Sequence, residues 1–224
     1  MSQYGEPPQH PAATYYPPPA YAAPPPKDLT TFGVLAFSTA TLATIFTVVD
    51  ATVVGQAVEH ADDEGDLHWS VAVDAIGSGL TVLALLAGWI TASMWLLRAR
   101  KNAELLSPGA LFVRSSGWAW GGWVCPIVSL WFPFQVVRDT HRAVASYFSS
   151  ALIGWWWTAY LFMTIGSRIK SSMERDATAS DAGAIQGTAI FFAAATVVAL
   201  VLWGLVLRRV TREQHDRLYG RTAG

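Results

Sequence analysis

AIGSGLTVLALLAGWITASMWLL, residues 75–97, carries no charged side chain and is closed at once by Arg98, Arg100 and Lys101. A helix rises 1.5 Å per residue, so this stretch covers about 35 Å, enough to cross a hydrocarbon core about 30 Å thick. Working outward, no Lys or Arg occurs between Asp28 and Arg98, a run of 69 residues. A second apolar run, from about Phe32 to Val54, lies upstream. Between the two is a short acidic loop with Glu59, His60, Asp62, Asp63, Glu64, Asp66 and His68, after which Trp69 marks the return to the lipid boundary. Two further spans read from about Ala151 to Ser167 and from about Ala184 to Leu207, the last stopped by Arg208 and Arg209. The expectation is an all-α membrane protein with four transmembrane helices.

The composition agrees. Hydrophobic residues make up 52% of the 224 and charged ones 14%, whereas a soluble domain carries about a quarter. Eleven Trp suit rings that sit at a lipid–water boundary. A net charge of −1 gives no basic field, which argues against a nucleic-acid partner. The lone Cys125 excludes an intrachain disulfide and a cysteine metal cluster. It reads as an apolar filler. The first 26 residues lack a basic start and an apolar core, so no cleavable signal peptide is expected.

Residues 117–137, GWAWGGWVCPIVSLWFPFQVV, are apolar enough for the membrane but broken by Gly121, Gly122, Pro126 and Pro133. Proline removes a backbone donor and clashes with the preceding turn, so a straight helix is not expected here. Charge counting decides whether the segment crosses. If it dips in and returns, twelve basic residues lie on the side of the chain's ends and only Arg168, Lys170 and Arg175 on the other. If it crosses, the split is eight to seven. Basic residues gather on the cytoplasmic side, which favours a re-entrant or interfacial segment and cytoplasmic termini. The following stretch, 135–148, has Val137, Val144 and Phe148 on one side and Arg138, Asp139 and Arg142 on another, the pattern of a surface-lying helix.

Three regions result: 1–29, a Pro/Tyr-rich tail; 30–210, the membrane domain; and 211–224, a short mixed-charge tail. Nine of the twelve prolines fall in the first, which has little to bury and reads as disordered, in part polyproline II. Such a tail suits either a spacer or a ligand for an aromatic-lined groove on a protein partner. Small residues offer packing faces within the spans: Gly33, Ala36, Ala40, Thr44, Thr47 and Ala51; Ala84, Gly88 and Ala92; Ala189 with Ala193 and Ala195 with Ala199. They serve equally within one chain or in a homo-oligomer.

Asp50 and Asp74 are the intramembrane carboxylates. Both are equally far from residue 62, so an antiparallel hairpin puts them at similar depth, where two carboxylates could hold a cation or share a proton. Their nearness to the span ends favours a cheaper, interfacial placement instead. The acidic loop matches neither the calcium-loop pattern nor a helical i, i+4 histidine pair, and reads as a solvated turn. No Gly-x-Ser-x-Gly elbow and no Walker-type phosphate cradle occurs. No enzyme, metal or cofactor is expected.

The run GWVCPIVSLWFPFQVVRDTHRA, with the Gly154-Trp155-Trp156-Trp157 cluster, resembles bacterial membrane proteins of domain-of-unknown-function family 4328. The resemblance rests on Trp123, Pro126, Ile127, Val128, Leu130, Trp131, Pro133, Gln135, Val136, Val137 and Asp139, and on the closing Thr211-Arg212-Glu213-Gln214. It covers roughly residues 30–218. Ser129 stands where the family pattern implies Asn, and His141 where it implies Trp. The resemblance implies a multi-pass protein of the bacterial plasma membrane, often with a proline-rich cytoplasmic tail, and no activity. Two functions fit: a non-enzymatic scaffold that binds partners, or a small channel or carrier using Asp50, Asp74 and the Pro126–Pro133 break.

Overall fold

A computed structural model of the chain describes residues 25–59, 67–125, 127–147, 149–175 and 182–220. The N-terminal tail to residue 24, the acidic-loop residues 60–66 and Pro126 lie outside the described residues. Those described form six helices: α1 (Thr30–Glu59), α2 (Leu67–Leu106), α3 (Trp118–Val124), α4 (Phe132–Val144), α5 (Ala151–Arg175) and α6 (Ala182–Leu218). A single 3-10 turn, Val128–Leu130, separates α3 from α4.

α1, α2 and α6 are long and apolar enough to cross a membrane. α5 has the length, 25 residues or about 37 Å, but not the same apolarity. Trp155, Trp156, Trp157 and Tyr160 fill its first half with rings that are only partly apolar. The long helices expose Val34, Ile45, Ile76, Leu83, Phe191 and Val201 outward, the inverse of a water-facing surface. In lipid, hydroxyls need partners within the protein. Thr39, Thr41, Thr44 and Thr47 of α1 each donate to a carbonyl four residues back, as do Thr81, Thr91, Thr188 and Thr196 elsewhere.

The order across the bundle is α2, α1, α6, α5. α1 runs antiparallel to α2, with the hydroxyl oxygens of Thr39 and Thr91 3.0 Å apart and Gly88 facing Thr39. It runs antiparallel to α6 as well, where Ala51 packs with Ala189 and Ala193, and where Gln186 Nε2 donates to the Ala51 carbonyl at 3.0 Å. The small-residue faces of all three helices are thus used inside one chain. α5 returns along α6, its Trp156 stacked on Trp203 and its Phe162 against Phe191 and Phe192. α6 therefore ends beside the start of α1, and α5 covers the length of the bundle between α4 and the start of α6.

The α5–α6 seam is closest at Gly166, where a Cβ would overlap the Phe192 ring. Overpacking of this kind costs about 1–3 kcal/mol. Gly166→Val is expected to lower unfolding stability by about 2 kcal/mol in reconstituted bilayers, because the ring must swing out of the seam. Gly154→Val, which meets nothing within 4 Å, serves as the neutral comparison.

Residues 117–137 form no continuous helix. α3 has seven residues and ends at Cys125, whose φ of −71° and ψ of 115° are extended. α4 begins at Phe132 with Pro133 in its first turn, where a missing N–H is harmless. A helix is thus present in the expected region, shifted to 132–144, and the pattern needs one correction. Asp139 does not lie on a solvated face with Arg142; it is buried together with Val136, Val137, Thr140, His141 and Val144.

Candidate functional site

Most of the buried polar side chains among the described residues, Arg100, Asn102, Asp139, Thr140, His141 and Gln214, converge where α2 and α6 end and α1 begins. α2 continues past Arg98 to Leu106 and α6 past Arg209 to Leu218, so both project a polar last segment. Ala99 and Ala103 of α2 are small and fully buried, and room is left there for side chains from other helices. Gln214, 0% exposed, reaches across from α6 and donates through Nε2 to the Ala99 carbonyl at 2.8 Å. Trp95 Nε1 donates to Thr211 Oγ1 at 3.1 Å. Asn102, also fully buried, pairs with the main chain of Lys27 in both directions, accepting from its N–H and donating to its carbonyl, each at 2.8 Å. Arg98 adds a bond from Nη1 to the Asp28 carbonyl. Asp28 caps α1 by accepting from the N–H groups of Thr30 and Thr31 and from the Thr31 hydroxyl; these bonds hold its carboxyl below the usual range.

The broken segment fills the gap between α2 and α5. Trp120 meets Trp89 of α2 edge-on at 5.6 Å, and Trp123 meets Tyr160 of α5 at 5.9 Å. Trp157 Nε1 donates to the Leu130 carbonyl at 3.0 Å, a good use for a carbonyl freed by the helix break. Gly122 lies against Phe132 and Pro133, so α3 folds tightly back on the start of α4. Trp131 is less enclosed, 40% exposed beside Phe132. Gln135 and Asp139 bind the 107–117 loop: Gln135 Oε1 accepts from Arg114 Nε at 2.9 Å, and Asp139 Oδ2 accepts from the Val113 N–H at 3.1 Å. Asp139 Oδ1 also receives Arg138, at 2.9 Å from Nη2. Ser107 Oγ donates to the Ala143 carbonyl and closes the loop's start.

His141, in the last turn of α4, is 1% exposed, and its Nε2 lies 2.8 Å from Glu213 Oε2. Glu213 is held on its other oxygen by Arg209 Nε at 3.1 Å. Burial lowers the affinity of the imidazole for a proton; Glu213 raises it, Arg209 lowers it, and burial prevails. A crevice beside this cluster, lined by His141, Ser149, Leu152, Ile153, Val206, Arg209 and Val210, is too narrow for a water molecule. Arg100, likewise buried, stacks 3.5 Å over Phe112 and pairs with Glu104.

Of the sequence-derived candidates, Trp123, Pro133, Gln135 and Asp139 meet in this region. Asp50 sits half-buried on α1 toward the other end. The α1–α2 pairing of Thr39 with Thr91 and of Gly33 with Trp95 puts Asp50 level with residues near 78–80. Asp74 is therefore about one helical turn farther out, and its side chain lies outside the described part. Among the described residues, no three His, Cys, Asp or Glu side chains gather as a metal site. Asn102 and Arg114 are the convergent residues that motif reading passed over, while His141 and Gln214 entered it only through the family resemblance; the signal for Asn102 was the pair Ala99 and Ala103, which leaves space around it on an otherwise cationic helix end.

The described residues, all-helical apart from turns and loops and with three helices long and apolar enough to cross a membrane, place the chain in the integral membrane class. Comparison with protein families matches residues 58–215 to the domain of unknown function DUF4328, more than half of the chain. The protein is a member of that family. The match begins after most of α1 and closes at residue 215, taking in the Thr211–Gln214 segment that ties α6 to α2 and α4. No curated protein and no solved structure is detectably similar to the chain.

Proposed function

We propose that the protein is a non-enzymatic membrane scaffold, a four-span bundle in the bacterial plasma membrane that holds its termini and the α3–α4 segment on the cytoplasmic side for partner binding. The fourth crossing is α5, whose length and course along α6 support it. The end of α6 lies beside the start of α1, where Gly33 faces Thr211, and this supports termini on one side. The observation that carries the scaffold reading is how the spans use their hydroxyls. Thr39, Thr44, Thr47, Thr91 and Thr196 donate to carbonyls of their own helices, so these groups do not line a polar path. Trp95, Trp156, Trp157 and Trp203 fill the space between α2, α5 and α6. The tail of residues 1–29 and the α3–α4 face are the binding elements of this reading.

Reconstituted in sealed vesicles, the full-length protein is expected to pass neither protons nor monovalent cations above the empty-vesicle rate. In cells, a photoreactive residue at Tyr15 or Tyr21 is expected to give discrete protein adducts. Cation flux abolished by Asp50→Asn with Asp74→Asn would replace the scaffold reading with a channel. Cys125, the single thiol, is expected to resist an impermeant maleimide added outside intact cells. Labelling there would overturn the four-span topology.

A further inference from the structure

We propose that the contact of His141 with Glu213 and Arg209 makes α4 an acid-released strap across the end of α6. α4 is a short helix of 13 residues, tied at its start to Trp157 through the Leu130 carbonyl and along its length to the 107–117 loop. The Glu213 contact is the charged contact that joins its last turn to α6. Among the described residues, α6 presents Glu213 and Arg209 to the imidazole; Ser149 and, in the first turn of α5, Leu152 and Ile153 line it without an ionisable group; and Arg142 follows on α4 itself. The nearby charges of α2 are engaged elsewhere, Arg100 with Glu104 and Arg98 over the Phe32 ring.

In the docked strap, burial and Arg209 together outweigh Glu213, so the imidazole is held neutral below its ordinary value of 6.5. A released strap exposes the imidazole to water, where it takes a proton near that value. Below about pH 6.5 the released form therefore binds more protons than the docked form, and docking weakens as pH falls. Above that value the contribution is fully present. The limit for one group is tenfold in the docking equilibrium per pH unit.

The test uses full-length protein in nanodiscs. Hydrogen exchange of residues 132–144, corrected for the intrinsic pH dependence, is expected to show protection at pH 7.5 that falls severalfold at pH 5.5. His141→Gln retains an amide donor for Glu213 but does not titrate, and its protection is expected to be the same at both values. Equal wild-type protection at the two values, or a parallel loss in the variant, would overturn the proposal. If His141→Gln does not fold, the imidazole titration of the wild-type protein decides, against the ordinary value of 6.5. A His141 midpoint below that value supports the strap; one at or above it rejects it.

Discussion

Trp203→Ala is expected to cost about 3 kcal/mol of bundle stability, the largest single-residue effect in the membrane domain. Trp203 stacks on Trp156 at 4.8 Å and meets Trp95 edge-on at 5.6 Å, so its loss opens the junction of α2, α5 and α6 at once. In a soluble core the range for Trp→Ala is about 3–5 kcal/mol, which includes transfer of the ring from water. In lipid that transfer term falls away, and the dispersion contacts and aromatic pairs remain, which places the effect at the lower end. Steric-trap or denaturant unfolding in bilayer discs measures it. Trp155→Ala, at a ring 68% exposed, is expected to change stability by less than about 0.5 kcal/mol. Equal losses at the two positions would mean that the tryptophans act as interfacial anchors alone.

That distinction separates what the sequence conveyed from what it concealed. Eleven tryptophans read as boundary rings because composition carries no direction. Trp155 fits that reading, whereas Trp95, Trp156 and Trp203 are buried against one another. The same partial polarity left α5 with the length of a span and less than its apolarity. Cationic flanks mark where the apolar runs of α2 and α6 stop but not the helix ends. Arg and Lys are good helix formers, so nothing stops the helix where the apolar run stops. α2 accordingly runs on to Leu106 and α6 to Leu218. The small-residue stripes were legible as packing faces, and the depth of Ala36, Ala51, Ala189 and Ala193 inside the chain assigns them to intrachain seams.

The site was less legible. Asp50 and Asp74 stand out because a carboxylate in an apolar run is conspicuous on its own. Asn102, His141 and Gln214 acquire meaning only when three helices meet, since each is a single polar residue whose partner lies 72 to 115 positions away. The family-like residues explain themselves in the same way. Thr211, Glu213 and Gln214 face α2 and α4, while Gln135 and Asp139 face the 107–117 loop. Of these, Glu213, Gln135 and Asp139 hold α4 of the broken segment in place. His141, where the resemblance implies Trp, adds a titrating group to a contact that an indole would make without one.

Asp139→Ala is expected to be the most damaging change outside the spans, at about 2 kcal/mol. A buried carboxylate that accepts charged or main-chain donors contributes about 1.5–3 kcal/mol. The Arg138 half of that is discounted, because the guanidinium is 29% exposed and its pairing is screened by water. The bond from the Val113 N–H is the part that matters, since it is what fixes the loop to α4. Asp139→Asn keeps one acceptor and is expected to cost about 1 kcal/mol. Loosening by 2 kcal/mol corresponds to about a 30-fold rise in the open form, read as faster tryptic cleavage after Arg114. Arg138→Ala separates the two contributions. It removes the ion pair and leaves Asp139 free to accept from Val113, so cleavage is expected to rise no more than about threefold. A rise as large as that of Asp139→Ala would make the Arg138 pair, and not the main-chain bond, the tether that holds the loop.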